Sequence, residues 1–287
     1  MKKILFPTDF SIKAENAFLY ALQIAKKFGA SITTIHTYNI PVLTSDASIG
    51  TSMYESMAEG REEFEFSEYK AFTKKMHEIA ENEELTDVEV NHILEQGFAV
   101  DEILEFSKTE NADLIVMGTS GARGLKEVLW GSNSGTIVEN AKCNVLVVPE
   151  VAAYKDIKKI AYATNLEKIE EDAIFDILEY VSLFDAELHI VHVSYLDEAW
   201  NKAKLKQFQD MSWLENRLKD VHFDIVEGDN VVKSLEEYAE ENDIDLLAMF
   251  TQKRSLIEKL FVKSYTKTLA YHTEVPLLIF HKKEDKS

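Results

Sequence analysis

Short apolar runs alternate with amphipathic segments along the first half of the chain. Lys3–Thr8 and Ser31–Tyr38 are β-branched, apolar stretches that predict two strands. Between them, apolar residues recur every three or four positions, which predicts a helix with Ser11 as its N-cap and Gly29 at its end. A strand–helix–strand order favours parallel strands joined by a right-handed connection.

The pattern continues with three more strands. The intervening segments are helical in character, including a charged stretch from Ser56 to Asn82 whose apolar members are Phe64, Phe66, Tyr69, Phe72 and Met76. The strands are predicted at Val88–Leu94, Leu114–Met117 and Asn144–Val148, and a helix face at Val100, Ile103, Leu104 and Ser107. Together these strands and helices predict a doubly wound α/β unit of about 150 residues, a fold that binds ligands beyond the carboxyl ends of its strands.

The second half of the chain repeats the first. Lys159–Leu166 matches Lys3–Phe10, and His192 matches His36, both at an offset of 156 residues. Further matches are Gly228 with Gly97 and Asp245–Met249 with Asp113–Met117, followed by a last strand at Val275–His281. An internal repeat of this kind predicts two tandem doubly wound domains, 1–150 and 157–282, each with a five-stranded parallel sheet flanked by helices.

A glycine-rich segment, MGTSGARGLKEVLWGSNS, follows the fourth strand and precedes a helix predicted at Gly135–Ala141. Two residues separate Gly118 from Gly121, nine separate Gly121 from Gly131, and Ser132 follows at once. Glycine permits positive φ and close approach of another molecule to the backbone. A helix that starts here also offers unpaired N–H groups and the positive end of its dipole, so the segment suits a phosphate.

The spacing G-x2-G-x9-G-[ST] resembles the nucleotide-binding signature of the universal stress protein family. Both halves look like domains of that family, so the chain resembles a tandem member. The second half keeps the strands but lacks the glycines: Phe250, Val262 and Lys263 stand where Gly118, Gly131 and Ser132 are in the first half, and Asn165 replaces Asp9. A side chain at those positions narrows the backbone cradle.

The resemblance implies an ATP site in the first half and an internal pseudo-dimer in which the fifth strands of the two halves pair. Asp9 would meet the adenine together with Pro7 and Thr8, Thr37 would offer its backbone to the base, and Met117 and Gly118 would line the adenosine. Ribose and phosphates would bind at Gly121, Gly131, Ser132, Asn133 and Ser134. A triphosphate commonly carries a Mg or Mn ion.

Several of these residues have plainer interpretations. Asp9 is also suited to capping the helix that follows it. Arg123 is either a phosphate contact or an exposed arginine. His36 and His192 lie in apolar strands, which favours hydrogen-bonded core histidines. No group of His, Asp and Glu has a convincing metal-ligand spacing along the chain, so no metal ligand is predicted.

The amino-acid composition limits the classes of binding partner. The formal charge is −20, from 31 Lys and Arg against 51 Asp and Glu, which argues against nucleic acid and anionic membranes. Cys143 is the single cysteine; it precedes a predicted strand and is expected to be a buried thiol. The N-terminal sequence has neither a signal peptide nor a membrane span, so a cytoplasmic protein is expected.

The leading hypothesis is therefore a cytoplasmic protein that binds ATP as a regulatory ligand. No general base is evident beside the γ-phosphate, so at most slow hydrolysis is expected and no catalytic residue is assigned. The alternative is a stress scaffold or sensor that binds an apolar ligand or a partner protein, in part through the segment from Asn39 to Glu84. A third hypothesis, adenylate transfer, has no further motif behind it. The pattern leaves open whether two full chains associate as a homodimer.

Overall fold

The protein was analysed as a computed structural model that describes residues 1–39, 51–119, 132–166, 170–194, 221–251 and 274–282, together with 203 and 206. The chain forms two compact units, Met1–Gly118 and Thr119–Ser287. No helix within the described part of the chain has the length and apolar content that crossing a membrane requires.

The first unit contains a parallel sheet whose strands lie in the order β3-β2-β1-β4. Its elements are β1 (Lys3–Pro7), α1 (Ile12–Phe28), β2 (Ser31–Tyr38), α2 (Thr51–Asn82), β3 (Val90–Gln96), α3 (Ala99–Thr109) and β4 (Leu114–Thr119), the last of which ends one residue into the second unit. Because β1, β2 and β4 are parallel neighbours, their carboxyl ends share one edge of the sheet.

Helix α1 confirms the sequence prediction at both ends. Ser11 is the N-cap residue, although its side chain makes no capping hydrogen bond, and Gly29 ends the helix at φ 60°. A left-handed residue at this position favours glycine. The apolar stripe of α1 is buried, with Ala17, Phe18 and Ala21 fully covered.

The long helix α2 buries only part of its predicted apolar face. Phe72 and Met76 are buried, and the Phe72 ring lies 5.1 Å from that of Phe10. Phe64 and Phe66 are 55% and 48% exposed. The aromatic residues nearer the start of α2 therefore do not contribute to the core of this unit.

In the described part of the second unit, six strands lie in the order β5-β10-β9-β6-β7-β8. Its elements are α4 (Ser132–Asn140), β5 (Asn144–Pro149), β6 (Lys159–Ala163), α5 (Glu171–Phe184), β7 (Glu187–Ser194), β8 (Val221–Glu227), α6 (Val231–Glu241), β9 (Leu246–Thr251) and β10 (Leu277–His281). The pairs β10–β9, β9–β6, β6–β7 and β7–β8 are parallel.

Strand β5 pairs with β10 in the antiparallel direction, as the resemblance implied for the two fifth strands. Val147 lies opposite Leu277, and Val145 opposite Ile279. His281 makes two further hydrogen bonds to this part of the unit. Its backbone N–H donates to Asn144 Oδ1 (3.2 Å), and its side-chain Nε2 donates to the Val138 carbonyl (2.9 Å). This pairing groups α4 and β5 with the second half of the chain, so the compact units differ from the sequence repeats, whose boundaries at 1–150 and 157–282 stay a prediction.

Some predicted positions shift by a few residues. Strand β3 runs to Gln96 because its register with β2 continues to Tyr38, whose carbonyl then accepts the Gly97 N–H (3.0 Å). Strand β10 begins at Leu277 because Pro276 has no N–H to donate to the sheet. Helix α4 begins at Ser132, three residues before the predicted Gly135. Cys143, expected to be buried, is half-buried in the short connection between α4 and β5.

One aspartate in each unit ties two strands together at their starts. In the first unit, Asp113 Oδ2 accepts the backbone N–H groups of Lys2 (2.6 Å) and Lys3 (3.0 Å). In the second, Asp245 Oδ2 accepts those of Lys158 (2.8 Å) and Lys159 (2.9 Å). The two sites differ in burial, because Asp113 is exposed whereas Asp245 is 7% exposed.

Candidate functional site

The first unit brings six of the predicted site residues to the carboxyl edge of its sheet. They lie at the ends of β1, β2 and β4: Pro7, Thr8, Asp9, Thr37, Met117 and Gly118. The register aligns Pro7 with Ile35 and Leu5 with Ile115, so these strand ends are neighbours. Met117 is buried and Asp9 is exposed.

A hydrogen-bonded turn links β1 to α1. The Thr8 N–H donates to the Ile35 carbonyl (3.0 Å), and Thr8 Oγ1 accepts the N–H of Phe10 (3.1 Å). Asp9 Oδ1 accepts the N–H of Ser11, the N-cap of α1 (3.0 Å). Phe10 adopts a left-handed φ of 62°. Asp9 therefore organises the turn before the helix through its Oδ1.

His36 is a structural residue under this turn, as predicted. Its Nδ1 donates to the Thr8 carbonyl (2.8 Å), its Nε2 lies 3.2 Å from Glu65 Oε2, and its ring stacks on Phe10 with 3.8 Å between centroids. Glu65 is buried and also pairs with Arg61. His36 thus joins the ends of β1 and β2, and both of its ring nitrogens have partners.

The second unit repeats this turn with a different central residue. Thr164 accepts the N–H of Leu166 through Oγ1 (2.8 Å), and its carbonyl accepts His192 Nδ1 (2.8 Å). Leu166 has a φ of 59°. The turn is therefore a feature of the fold in both repeats, and what distinguishes the first repeat is the carboxylate of Asp9 in place of the amide of Asn165.

A buried carboxylate lies beneath the turn of the second unit. Glu170 is 3% exposed; its Oε1 accepts the Asn165 N–H (3.0 Å) and its Oε2 accepts the Tyr162 hydroxyl (3.1 Å). The matching position of the first repeat, at the offset of 156, holds Ala14. This negative charge disfavours an anionic ligand at the carboxyl end of β6.

The glycine-rich segment is described only at its ends. Gly121, Arg123 and Gly131 lie outside the described residues, as do Val262 and Lys263 of the second half. Ser132, Asn133 and Ser134 form the first turn of α4, which contains no acidic residue. Ser132, Asn133 and Ser134 thus begin a helix, and the N-terminus of a helix favours an anion through its dipole.

The second unit also contains a cluster of candidate metal ligands that the sequence does not predict. Glu187, His189 and His222 each place one ligand atom within 4.8 Å of the others. Glu187 and His189 are two residues apart, but His222 is 33 positions further on, so the spacing along the chain gives no signal. The parallel register of β7 and β8, in which His189 lies opposite His222, brings them together.

Comparisons with known proteins agree with this architecture. The model of the universal stress protein family matches twice, at residues 1–149 and 156–281. A universal stress protein of Methanocaldococcus jannaschii is 35% identical over 147 residues, which are 51% of this chain and 81% of that protein. A crystal structure of a universal stress protein from Archaeoglobus fulgidus superposes with a TM-score of 0.72 at 23% identity, covering 98% of both chains.

A universal stress protein family member of Arabidopsis thaliana, solved with AMP bound, matches 52% of this chain and 92% of its own, at 20% identity and a TM-score of 0.34. That similarity is too low to assign its ligand to this chain. The family match, by contrast, covers both sequence repeats, and the order of the strands is that of a doubly wound fold. The chain therefore belongs to the universal stress protein family, as a tandem two-domain member.

Proposed function

We propose that the first half binds ATP as a regulatory ligand, in the cytoplasm, with little or slow hydrolysis. The observation that carries this proposal is the spacing Gly118-x2-Gly121-x9-Gly131-Ser132, present in the first half and lost in the second. The family shown above gives that spacing its context. The glycine spacing distinguishes the two repeats, because they otherwise share their strands, their turns and their histidines.

The adenine end of the site would be formed by the turn after β1. Asp9 is exposed, and only its Oδ1 is used by the Ser11 N–H. Its other oxygen can accept the exocyclic amine of adenine, while Pro7, Thr8 and Thr37 supply backbone groups beside the base. Guanine presents a carbonyl at the corresponding position, so a carboxylate here would discriminate against it.

The phosphate end would be formed by the glycine-rich segment and the first turn of α4. An anion is stabilised by the backbone N–H groups and by the dipole at a helix N-terminus. Ser132, Asn133 and Ser134 occupy that turn without a competing carboxylate. A Mg or Mn ion would accompany the triphosphate through its phosphate oxygens.

Regulation is favoured over catalysis by the chemistry of the described residues. At the carboxyl edge of the first sheet, the one carboxylate among the predicted site residues is Asp9, whose Oδ1 accepts the Ser11 N–H of the turn and which is assigned here to the base. A general base for hydrolysis must reach the water that attacks the γ-phosphate. Bound ATP would then act as a signal through its occupancy of the site.

An Asp9→Asn substitution tests the adenine contact. Asparagine keeps the side-chain oxygen that accepts the Ser11 N–H, so the turn is retained, but the charged acceptor is lost. We expect ATP affinity to fall about tenfold, since a hydrogen bond to a charged group contributes roughly 1.5 to 3 kcal/mol. The preference for ATP over GTP should fall together with the ATP affinity. Competition against a fluorescent ATP analogue measures both.

The matched control is Asn165→Asp, which makes the reverse change at the equivalent turn of the second half. It should leave both ATP affinity and stoichiometry unchanged. An Asp9→Asn variant with unchanged ATP affinity and unchanged selectivity over GTP would remove Asp9 from the site.

The alternative of a scaffold that binds a partner protein has one specific observation in its favour. Phe64 and Phe66 of α2 are about half exposed, and Phe98 before α3 is 70% exposed. Exposed aromatic residues of this kind are enriched at protein interfaces. Failure of a nucleotide-free chain to bind ATP would favour this function over the nucleotide proposal.

A further inference from the structure

The second unit places two histidines and a glutamate together at the amino ends of β7 and β8. His189 and His222 are register partners on these parallel strands, and their rings stack with 4.7 Å between centroids. Glu187 lies two residues before His189 and therefore on the same face of β7. The ligand atoms of all three residues lie within 4.8 Å of one another.

A hydrogen-bond chain fixes the tautomer of His189. Tyr238 of α6 donates its hydroxyl proton to Asp224 Oδ2 (2.6 Å), and the same hydroxyl lies 2.7 Å from His189 Nδ1. Because that proton is given to Asp224, the hydroxyl oxygen accepts the proton of Nδ1. The other ring nitrogen, Nε2, then carries a lone pair. A histidine that binds a metal typically has this arrangement, with its second nitrogen donating to a fixed acceptor.

The lone pair of His189 Nε2 has no hydrogen-bond donor. His189 is 7% exposed, and its Nε2 is a buried nitrogen without a partner among the described residues. The nearest carboxylate oxygen, Glu187 Oε2, lies 3.8 Å away. His189 Nε2 is therefore a buried acceptor without a donor, which is costly unless a cation binds it, and the exposed Glu187 carboxylate lies close enough to bind the same cation.

We propose that Glu187, His189 and His222 bind a divalent transition-metal ion, for which Zn²⁺ is the best match. Two imidazoles and one carboxylate are a donor set that zinc accepts, with a fourth position left for water or another ligand. Zinc bonds of about 2.0 to 2.2 Å in a tetrahedral site would draw the ligand atoms to about 3.3 to 3.6 Å from one another. Glu187 and His222 are exposed and can make this adjustment, whereas His189 is held by Tyr238.

The first repeat provides an internal comparison. At matched positions it has Ser31 and Thr33 on β2, Asn91 on β3 and Ser107 on α3, in place of Glu187, His189, His222 and Tyr238. Thr33 and Asn91 are register partners, as His189 and His222 are. The cluster is therefore specific to the second half, the half that has lost the nucleotide-binding glycines. It shares no residue with the proposed ATP site.

The test is a titration of the full-length, tag-free, nucleotide-free and chelator-treated chain with Zn²⁺, followed by calorimetry. We expect one tight equivalent per chain. His222→Asn and Glu187→Ser copy the first repeat at exposed positions, and each should lower the affinity at least tenfold. Replacement of Zn²⁺ by Co²⁺ should produce the visible absorption of a four- or five-coordinate site, absent in His222→Asn. No uptake of either ion, or an affinity unchanged by both substitutions, would overturn the proposal.

The matched control is His77→Asn. His77 and Glu81 form an exposed pair on α2, with 3.2 Å between Nε2 and Oε1, and among the described residues no third ligand joins them. Its loss should leave zinc binding unchanged, and an effect as large as that of His222→Asn would contradict the assignment.

Tyr238→Phe tests the orientation of His189 without removing a ligand. Loss of the hydroxyl should weaken Zn²⁺ binding ten- to a hundredfold at unchanged stoichiometry, as for other residues that orient a metal-binding histidine. An unchanged zinc affinity in a folded Tyr238→Phe variant would contradict the orientation of His189 by Tyr238 and, with it, this account of the site.

Discussion

Gly131→Val, which copies Val262 of the second half, is expected to lower ATP affinity at least about a hundredfold, or roughly 2.7 kcal/mol. Gly131 immediately precedes the first turn of α4, where the resemblance places the phosphates. A β-branched side chain there would occupy the space of a phosphate and restrict the backbone conformations that glycine permits. Calorimetric titration with ATP and magnesium measures the loss.

The control for this variant is Gly60→Val. Gly60 lies in α2, and a Cβ built there meets nothing within 4 Å. This variant should bind ATP with the affinity of the natural chain. An unchanged affinity in Gly131→Val would mean that the glycine-rich segment does not hold the phosphates.

Asp245→Ala is expected to cost about 3 kcal/mol in free energy of unfolding, because it leaves buried groups without their acceptor. The carboxylate accepts two consecutive N–H groups at the start of β6 and pairs with Lys155 (2.6 Å). With Asp245 only 7% exposed, water is poorly placed to replace it. Urea unfolding followed by circular dichroism measures the change.

The first unit supplies the comparison for this prediction. Asp113 makes the same two backbone hydrogen bonds at the start of β1, but it is exposed. Water can therefore replace its carboxylate, and Asp113→Ala should cost about 1 kcal/mol. Equal losses for the two variants would show that burial does not set the strength of this contact.

Most of the secondary structure could be predicted from the sequence because each half has regular apolar runs. The bounds of β2 and the caps of α1 came out as expected, since the Gly29 φ of 60° and the Ser11 N-cap are local properties. The shift of β3 was not predictable, because its end is set by the register with β2 up to Tyr38 and Gln96.

The division of the chain into its two compact units could not be predicted from local sequence either. The sequence repeat divides the chain near residue 150, whereas the antiparallel pairing of β5 with β10 moves the division to Gly118. That pairing joins Val145 to Ile279, residues separated by 134 positions. Only the resemblance to the family pointed to it.

The two candidate sites differ in how visible they are in the sequence. Pro7, Asp9, Thr37 and Met117 were assigned through the resemblance to the family, and each lies at a strand end, where a doubly wound sheet binds its ligands. The zinc ligands were missed because His189 and His222 meet only through strand register and because His189 is oriented by Tyr238 of α6. A comparison of matched positions in the two repeats reveals them, because Glu187, His189 and His222 stand where the first repeat has Ser31, Thr33 and Asn91.

The central claim is one working ATP site per chain, in the first half. It is tested most directly by calorimetric titration of the full-length chain with ATP and magnesium, after denaturing extraction and mass spectrometry have shown that no nucleotide was carried along. A stoichiometry near one is predicted, because the second half lacks the glycines and carries the buried carboxylate of Glu170. No binding by a demonstrably empty protein would contradict the claim.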